Sequence, residues 1–384
     1  MSTPNEEAAK FWDRQVENPD EEVRHWFHVP EVLHAVNRRV TGEGGAFPLA
    51  GFFHQLHQRR AGAAPAERAL SIGCGSGNLE REVVRADAAR FVDGIDISEG
   101  SLARARELAG EEGFADRLSY HLADAVTFLR GVPDGHYSLI FFHGSLHHIT
   151  ELEETLEECA RVLRGTDPGL LYVDEYIGPS QQRWTDAVLA PARRLFATLP
   201  EKYRRAPVLY PPIAPDDPSE MVRADEIESV LRAFFRVQLF RPYGGNILFP
   251  LISSIRGTCF DEPEVKRVIR QALDEEEELV AGGTVRPLFA VFVARPLSVE
   301  EAKERGDALE WIRKTRNADP DILAHAREVE ATLARQVREL HGMHGDLQAE
   351  VTRLDGLIAE MRSTRAWRLH EWLERHVRRR LRRR

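Results

Sequence analysis

The stretch Ala69-Leu-Ser-Ile-Gly-Cys-Gly-Ser-Gly-Asn-Leu-Glu80 ends a short apolar run in three glycines at alternate positions, Gly73, Gly75 and Gly77. This order predicts a β-strand that stops in a tight turn and is followed by a helix. Because glycine lacks a Cβ atom, the turn lets the backbone approach a ligand closely, and the helix directs its first N–H groups at the same place. Asn78 stands where the GxGxxG pattern of dinucleotide-binding folds has its third glycine. An ordinary glycine-rich turn is the alternative, and the neighbouring sequence decides between the two.

Composition predicts a soluble α/β protein of a reducing compartment. The 384 residues suffice for one large domain with an appendage. The three cysteines, Cys74, Cys159 and Cys259, lie far apart without a CxxC pair, which argues against disulfides and a zinc site, and we expect no metal. The first residues lack a signal-peptide pattern and no apolar run is long enough to span a bilayer, so we expect a cytoplasmic protein.

From Arg68 onward, short apolar runs alternate with helical stretches, the pattern of a parallel sheet covered by helices on both faces. Right-handed crossovers place the carboxyl ends of such strands at one edge of the sheet, where ligands bind. After the fourth strand, Thr150 and Glu153 form a predicted capping box. Strands are predicted at 68–72, 90–95, 117–121, 137–142 and 169–174.

Two acidic residues follow strands at this edge. Asp96 ends the second strand, 19 positions after Gly77, and its carboxylate is able to accept both hydroxyls of a ribose. The alternative role, capping of the next helix, suits Ser98 better. Asp124 follows the third strand and is placed either to accept the amine of an adenine or to cap a short helix.

The chain resembles the class I S-adenosylmethionine-dependent methyltransferases in ALSIGCGSGN, DGIDIS, HLADA, YSLIFFHGSLHHI and RVLRGTDPGLLYVDEY, five segments in the order and spacing of that family. The resemblance implies a doubly wound, mainly parallel seven-stranded sheet whose last strand is antiparallel, with the last two strands at 235–241 and 287–294. It also implies S-adenosylmethionine as the cofactor. The residues that it assigns to cofactor binding are Gly73, Cys74, Gly75, Gly77, Asp96, Ile97, Asp124, Ala125 and His143.

Two positions depart from the pattern of that family. Ser71 stands where an acidic residue usually precedes the first glycine, and Ser138 stands where one commonly begins the fourth strand. We therefore expect one contact to the amino end of the cofactor to be weakened.

Methyl transfer from a sulfonium mainly requires alignment of the nucleophile with the methyl group. A general base adds about 10²–10⁴-fold when the nucleophile is a hydroxyl. His147 and His148 are the first candidates because imidazole is neutral and basic near pH 7, and Asp174 and Glu175 follow. Helix-start or packing roles are the alternative for each histidine. Because adjacent side chains point different ways, we expect at most one histidine to be the base.

The regions around the sheet have their own predicted roles. Residues 1–60 form a helical cap, which either covers the sheet or acts as a lid over the ligand, and residues 61–296 form the methyltransferase domain. Within that domain, residues 176–285 are an insertion that shapes the acceptor side. The segment that leads into it, DEYIGPSQQRW, resembles methyltransferases found beside glycosyltransferases. Three residues of the insertion either meet a polar or phosphorylated acceptor or lie in a solvated loop: Arg204, Arg205 and Tyr210.

The carboxyl-terminal part is predicted to be helical. Residues 297–320 form a linker, and residues 321–362 a coiled coil, since apolar residues recur every seven positions from Leu333 to Met361. The coil predicts a homo-oligomer, and a helix folded back on the domain is the alternative.

Residues 363–384 form a basic amphipathic tail. From Arg362 to Arg384, ten arginines stand against two glutamates, a local charge of +8 that leaves −18 for the rest of the chain. Such a tail suits peripheral contact with the anionic inner face of a membrane; a solvated tail is the alternative, and no nucleic acid is expected. The heptads and the tail also resemble the carboxyl-terminal tails of bacterial polysaccharide-assembly enzymes.

Together these features predict an S-adenosylmethionine-dependent methyltransferase that O-methylates a sugar or glycan intermediate. Methylation of a small metabolite or a quinone-like lipid is the alternative within the enzyme class. A hypothesis from another class is a coiled-coil scaffold whose core binds the cofactor but is inactive.

Overall fold

The computed structural model describes residues 4–17, 25–42, 65–180, 184–212, 217, 219–283 and 285–304. Seven strands form one sheet in the order β3-β2-β1-β4-β5-β7-β6, and β7 runs antiparallel to both of its neighbours while the other pairs are parallel. The predicted fold class is confirmed, and each predicted strand overlaps an observed one. The strands are β1 (Ala66–Ile72), β2 (Ala89–Asp96), β3 (Leu118–Leu122), β4 (Leu139–His143), β5 (Leu170–Tyr176), β6 (Phe235–Gly244) and β7 (Phe289–Pro296).

Helices precede, connect and follow these strands. They are α1 (Pro4–Glu17), α2 (Pro30–Thr41), α3 (Asn78–Arg85), α4 (Glu99–Glu111), α5 (Ala125–Arg130), α6 (Leu152–Leu163), α7 (Asp186–Phe196), α8 (Ile227–Phe234), α9 (Leu248–Ser253), α10 (Pro263–Ala281) and α11 (Val299–Glu304). The insertion predicted on the substrate side contributes α7 to α10 together with β6, and α7 packs against α9 and α10.

The central strands are apolar without alternation because helices cover both faces of the sheet. All seven residues of β5 are buried, and so are the first four of β4. Since β1 pairs with β2 on one side and β4 on the other, the strand order reverses between β1 and β4. A crevice therefore opens beyond the carboxyl ends of these two strands.

The predicted capping box at the start of α6 is wrong. The helix begins at Leu152, and the residue before it, Glu151, makes no side-chain cap. Glu153 is instead buried, and its two carboxylate oxygens accept from the Arg223 guanidinium at 2.6 and 2.7 Å. The bidentate ion pair with Arg223, 70 positions away in the sequence, is stronger than the local capping interaction.

The described part of the amino-terminal region consists of α1, α2 and a short turn at Trp26–His28. The Asp13 carboxylate on α1 accepts from the Ser98 hydroxyl at 2.7 Å and from the Gly100 N–H at 3.0 Å, which fixes α1 at the start of α4. The predicted coiled coil and basic tail, and the linker from residue 305 onward, lie outside the described residues and stay predictions.

Gly73 and Gly110 offer a matched pair of substitutions. Gly73 has φ +69°, and a Cβ atom there would lie 2.5 Å from Cβ of Ser145, whereas a Cβ at the helical Gly110 would meet nothing within 4 Å. We expect Gly73→Ala to lower the free energy of unfolding by about 1–3 kcal/mol, and Gly110→Ala to raise it by about 0.5–1 kcal/mol. Urea unfolding measures both, and effects of the same sign would contradict this account.

Candidate active site

A cavity of about 580 Å³ opens at the strand-order reversal. Eight of the nine residues that the resemblance assigns to cofactor binding line it. The ninth, Gly77, packs against Tyr120, where a Cβ atom would collide with the phenol. The eight are Gly73, Cys74, Gly75, Asp96, Ile97, Asp124, Ala125 and His143.

The glycine turn holds its shape through main-chain bonds to the neighbouring strand. The N–H groups of Gly73 and Cys74 both donate to the Ile95 carbonyl, at 2.9 and 3.0 Å. Gly75 follows with φ +52°, and a Cβ added there would meet nothing within 4 Å. The middle of the turn therefore borders open space, which a ligand is able to enter at main-chain distance.

Asp96 is fixed at the end of β2 by two main-chain donors. Its carboxylate accepts from the Gly75 N–H at 2.8 Å and from the Ser98 N–H at 2.9 Å. Burial raises its pKa although both bonds act in the opposite direction. The Ser98 hydroxyl caps α4 by accepting from the Ser101 N–H at 3.0 Å. Ser98 is therefore the residue that caps the helix, as predicted from the sequence. Asp96 lines the cavity.

Asp124 also borders the cavity, but it caps a helix. One carboxylate oxygen accepts from the Thr127 N–H at 3.0 Å at the start of α5, and the other accepts from the Asn5 amide at 3.3 Å. Of its two predicted roles, the structure shows the capping role, and contact with an adenine stays a prediction.

Glu80 is a cavity residue that the sequence reasoning missed. It lies in the first turn of α3, is only 1% exposed and lines the cavity together with Ser71. Neither of its carboxylate oxygens has a hydrogen bond of ordinary geometry among the described residues. Burial raises its pKa to about 6, and the nearby Ser71 hydroxyl offsets this only in part. The only sequence signal is an acidic residue three positions after Gly77, which also fits a surface helix.

His143, at the end of β4, is paired with a buried carboxylate. Its Nδ1 lies 3.3 Å from Oδ2 of Asp174, whose other oxygen accepts from the Tyr243 hydroxyl at 2.6 Å. Burial alone lowers the pKa of an imidazole, but Asp174 outweighs it and holds the pKa of His143 above its ordinary value. All three residues line the cavity. The pairing leaves Nε2 of His143 available to a ligand, so this residue is also a candidate base.

Of the catalytic candidates, His148 lines the cavity, whereas Glu175 is buried beside it. One carboxylate oxygen of Glu175 accepts from the N–H groups of Ser145 and Leu146, and the other lies 2.6 Å from Nδ1 of His147. These contacts favour a positioning role for Glu175 over contact with a substrate.

The two adjacent histidines lie in different electrostatic surroundings. Burial lowers the pKa of His147, but Glu175 outweighs it, so the pKa lies above the ordinary value. Burial and the neighbouring His147 together lower the pKa of His148. Nδ1 of His148 lies 3.0 Å from the Ser219 hydroxyl.

Aromatic rings form much of the cavity wall away from the glycine turn; they belong to Trp12, Phe27, Tyr176, Tyr243 and Phe289. Trp12 of α1 contacts the His148 ring edge-on at 5.5 Å. Arg204 and Arg205 donate to main-chain carbonyls of the insertion and do not line the cavity, so their contact with an acceptor stays a prediction. Tyr210 is exposed.

Part of the chain is similar to known methyltransferases. Residues 69–166 match the model of a family described as a methyltransferase domain. Over 113 residues the chain is 34% identical to 27-O-demethylrifamycin SV methyltransferase of Amycolatopsis mediterranei, covering 29% of this chain and 40% of that protein. Over 106 residues it is 35% identical to ubiquinone biosynthesis O-methyltransferase of Aromatoleum aromaticum, covering 28% and 43%. The chain thus spans less than half the length of these curated relatives.

Among solved structures, geranyl diphosphate C-methyltransferase from Streptomyces coelicolor A3(2) is similar with a TM-score of 0.44 and 12% identity, covering 77% of this chain and 99% of that one. The family match and the relatives give the class: the chain contains an S-adenosylmethionine-dependent methyltransferase domain. S-adenosylmethionine is its cofactor, and the open turn at Gly75 and the buried Glu80, whose oxygens have no hydrogen bond of ordinary geometry among the described residues, fit that molecule. No described helix is long and apolar enough to cross a membrane.

Proposed function

We propose that the whole protein is an S-adenosylmethionine-dependent methyltransferase that methylates a hydroxyl group of a sugar or glycan intermediate. The observation that carries this proposal is the pair of His143 and Asp174 on the wall of the cofactor cavity. An alcohol is a poor nucleophile until its proton is removed, and an imidazole with a raised pKa beside a buried carboxylate is suited to removing it.

Different residues of the cavity bind different parts of the cofactor in this proposal. The glycine turn lies along its methionine part, Asp96 accepts from the ribose hydroxyls, and Glu80 pairs with the ammonium group. Asn5 of the amino-terminal helix α1 would border the adenosyl end, since its amide donates to Asp124 and it lines the same cavity. A buried carboxylate that has no cation in contact gains most from a cationic ligand, because folding has already removed it from water.

The bound cofactor supplies an electrophilic methyl group on a positively charged sulfur. With the cofactor bound, Nε2 of His143 would accept the hydroxyl proton of the acceptor as the acceptor oxygen takes the methyl group. Asp174 then stabilises the imidazolium through Nδ1, and the Tyr243 hydroxyl holds Asp174 in place. The products are the methyl ether and S-adenosylhomocysteine.

The aromatic wall of the cavity supports a second acceptor class. Rings such as Trp12, Phe27 and Phe289 suit a flat, apolar acceptor as well as the apolar face of a sugar. A small metabolite or a quinone-like lipid is therefore the competing substrate. The preference for a sugar rests on the sequence resemblance of residues 174–184 and of the tail.

A methyl-transfer assay separates these possibilities. S-adenosylmethionine with a radiolabelled methyl group is incubated with the full-length protein and with sugar-nucleotide, glycan and lipid fractions, and calorimetry measures cofactor binding. We expect label in the glycan or sugar fraction. Label in the lipid fraction alone would establish the second class, and binding without transfer would favour the inactive scaffold.

The coiled coil and the tail enter this proposal as a way of holding an oligomer near a membrane surface. Analytical ultracentrifugation of the chain ending at residue 320 tests the coil. An oligomer of unchanged size would refute its assigned role.

A further inference from the structure

A second cluster of chemistry-bearing side chains lies beside the cavity. The structure brings His147, His148 and Glu220 together so that one potential ligand atom from each lies within 4.8 Å of the others. The histidines belong to the short turn Leu146–His148 after β4, and Glu220 comes from the insertion. The three side chains are partly buried, with 11%, 18% and 13% of their surface exposed.

Both imidazoles are oriented by groups behind them. Nδ1 of His147 lies 2.6 Å from the Glu175 carboxylate, and Nδ1 of His148 lies 3.0 Å from the Ser219 hydroxyl. That hydroxyl in turn donates to Oδ1 of Asp217 at 2.6 Å. Metal-binding histidines are usually held in this way, with the second ring nitrogen bonded to a carboxylate or another acceptor. The arrangement leaves Nε2 of each ring available.

The cluster also carries an excess of negative charge. Three carboxylates, those of Glu175, Asp217 and Glu220, surround two imidazoles, and the first two side chains are fully buried. None of the three forms an ion pair with a lysine or arginine in the part of the chain that the structure describes. Oδ2 of Asp217 is buried there without a hydrogen-bond partner. In the described part of the chain, the imidazoles, main-chain N–H groups and the Ser219 hydroxyl are the groups that face these carboxylates, and Oδ2 of Asp217 lies 3.5 Å from Nδ1 of His148. A bound cation would balance more of this negative charge.

The geometry points to a binding site for a divalent transition-metal ion, with Nε2 of His147, Nε2 of His148 and a carboxylate oxygen of Glu220 as ligands. Two imidazoles and one carboxylate suit zinc or cobalt better than magnesium or calcium, which prefer oxygen ligands. The ligand atoms of a tetrahedral zinc ion lie about 3.4 Å apart. The three potential ligand atoms here lie within 4.8 Å of one another, so shifts of about 1 Å by side-chain rotation would complete the site. The cysteine spacing predicts no metal, because two histidines and a glutamate about 70 positions away leave no cysteine pattern.

Three protein ligands leave one position of a tetrahedral ion open to water or to an oxygen of a ligand. His148 lines the cofactor cavity, so this position lies beside the acceptor side. Metal binding at this site is expected whichever acceptor the enzyme methylates.

Metal titration of the full-length protein tests this inference. After treatment with EDTA, the protein is titrated with Co²⁺ and with Zn²⁺, followed by visible absorption and by calorimetry. We expect one ion per chain, with the visible bands of tetrahedral cobalt. Glu220→Gln should weaken binding roughly tenfold to hundredfold, and His148→Ala should abolish the bands.

His121→Ala is the matched control, because His121 also lies near a carboxylate, 3.8 Å from Asp93, but outside the cluster. It should leave the stoichiometry and affinity unchanged. Circular dichroism and urea unfolding verify that each variant is folded, and Glu220→Gln decides the matter if His148→Ala fails to fold. No saturable binding, binding that both variants retain, or displacement by equimolar Mg²⁺ would each overturn the proposal.

Discussion

Replacing Glu80 by glutamine should weaken the binding of S-adenosylhomocysteine roughly tenfold to hundredfold, because it removes a charge-assisted contact of about 1.5–3 kcal/mol with an ammonium group. Affinity for 5′-methylthioadenosine, which lacks the amino-acid part, should remain unchanged. The two ligands share the adenosyl group, so their difference isolates the end of the cavity where Glu80 lies. Calorimetry with both ligands measures it.

The same substitution should stabilise the protein in the absence of cofactor. Burial raises the pKa of Glu80 from 4.5 to about 6, so the folded state holds a proton more tightly than the unfolded state. Stability is therefore lost as the pH rises from about 4.5 to 6, and the whole penalty of about 2 kcal/mol is present at pH 8. Glutamine carries no charge and escapes this penalty. Urea unfolding at pH 8 should show the gain, and unfolding near pH 4.5 should not.

Glu82→Gln is the control on the same helix. Glu82 is partly exposed and pairs with Arg85 on the surface, so its loss should change neither affinity. If Glu80→Gln weakened both ligands equally, the carboxylate would act through the shape of the cavity rather than on the ammonium group. If it weakened neither, the role of Glu80 would be refuted.

Glu80 also shows why part of the site escaped sequence reasoning. The motif shows that Ser71 replaces the usual carboxylate, and from this the sequence predicts a weakened contact to the amino end of the cofactor. A buried acidic residue in the first turn of α3 looks in sequence like any exposed one. Only the packing of that turn against β1 places its carboxylate beside the Ser71 hydroxyl.

Local sequence patterns are sufficient to predict the sheet of this fold. The strands are buried on both faces, so their apolar runs and the turns between them predict the sheet and its carboxyl edge. The position of Asp96 in the site is predicted from that edge. Contacts between distant segments leave no such pattern. The pairing of Glu153 with Arg223 and the approach of Glu220 to His148 each join residues about 70 positions apart. Tertiary packing alone determines them.

The largest expected effect on turnover comes from His143. With the acceptor that the labelling assay identifies, His143→Gln should lower kcat by about 10²–10⁴-fold, because general-base assistance to a hydroxyl is lost. The affinity for S-adenosylhomocysteine should change little, since glutamine preserves the polar edge of the cavity. His136→Gln, at an exposed histidine away from the cavity, is the control and should leave kcat unchanged.

The pH dependence of kcat/KM identifies the general base more specifically than the loss of kcat in His143→Gln does. Neutral imidazole is the active form, so kcat/KM should rise with pH, with its midpoint above 6.5 because Asp174 raises the pKa of His143. Asp174→Asn removes that effect and leaves burial, which lowers the pKa, so the midpoint should move to lower pH while kcat falls. Rates between about pH 5.5 and 9 measure both changes. A midpoint that stays in place in Asp174→Asn would exclude His143, and the base would then have to be sought at His148, the histidine predicted as a base that lines the cavity.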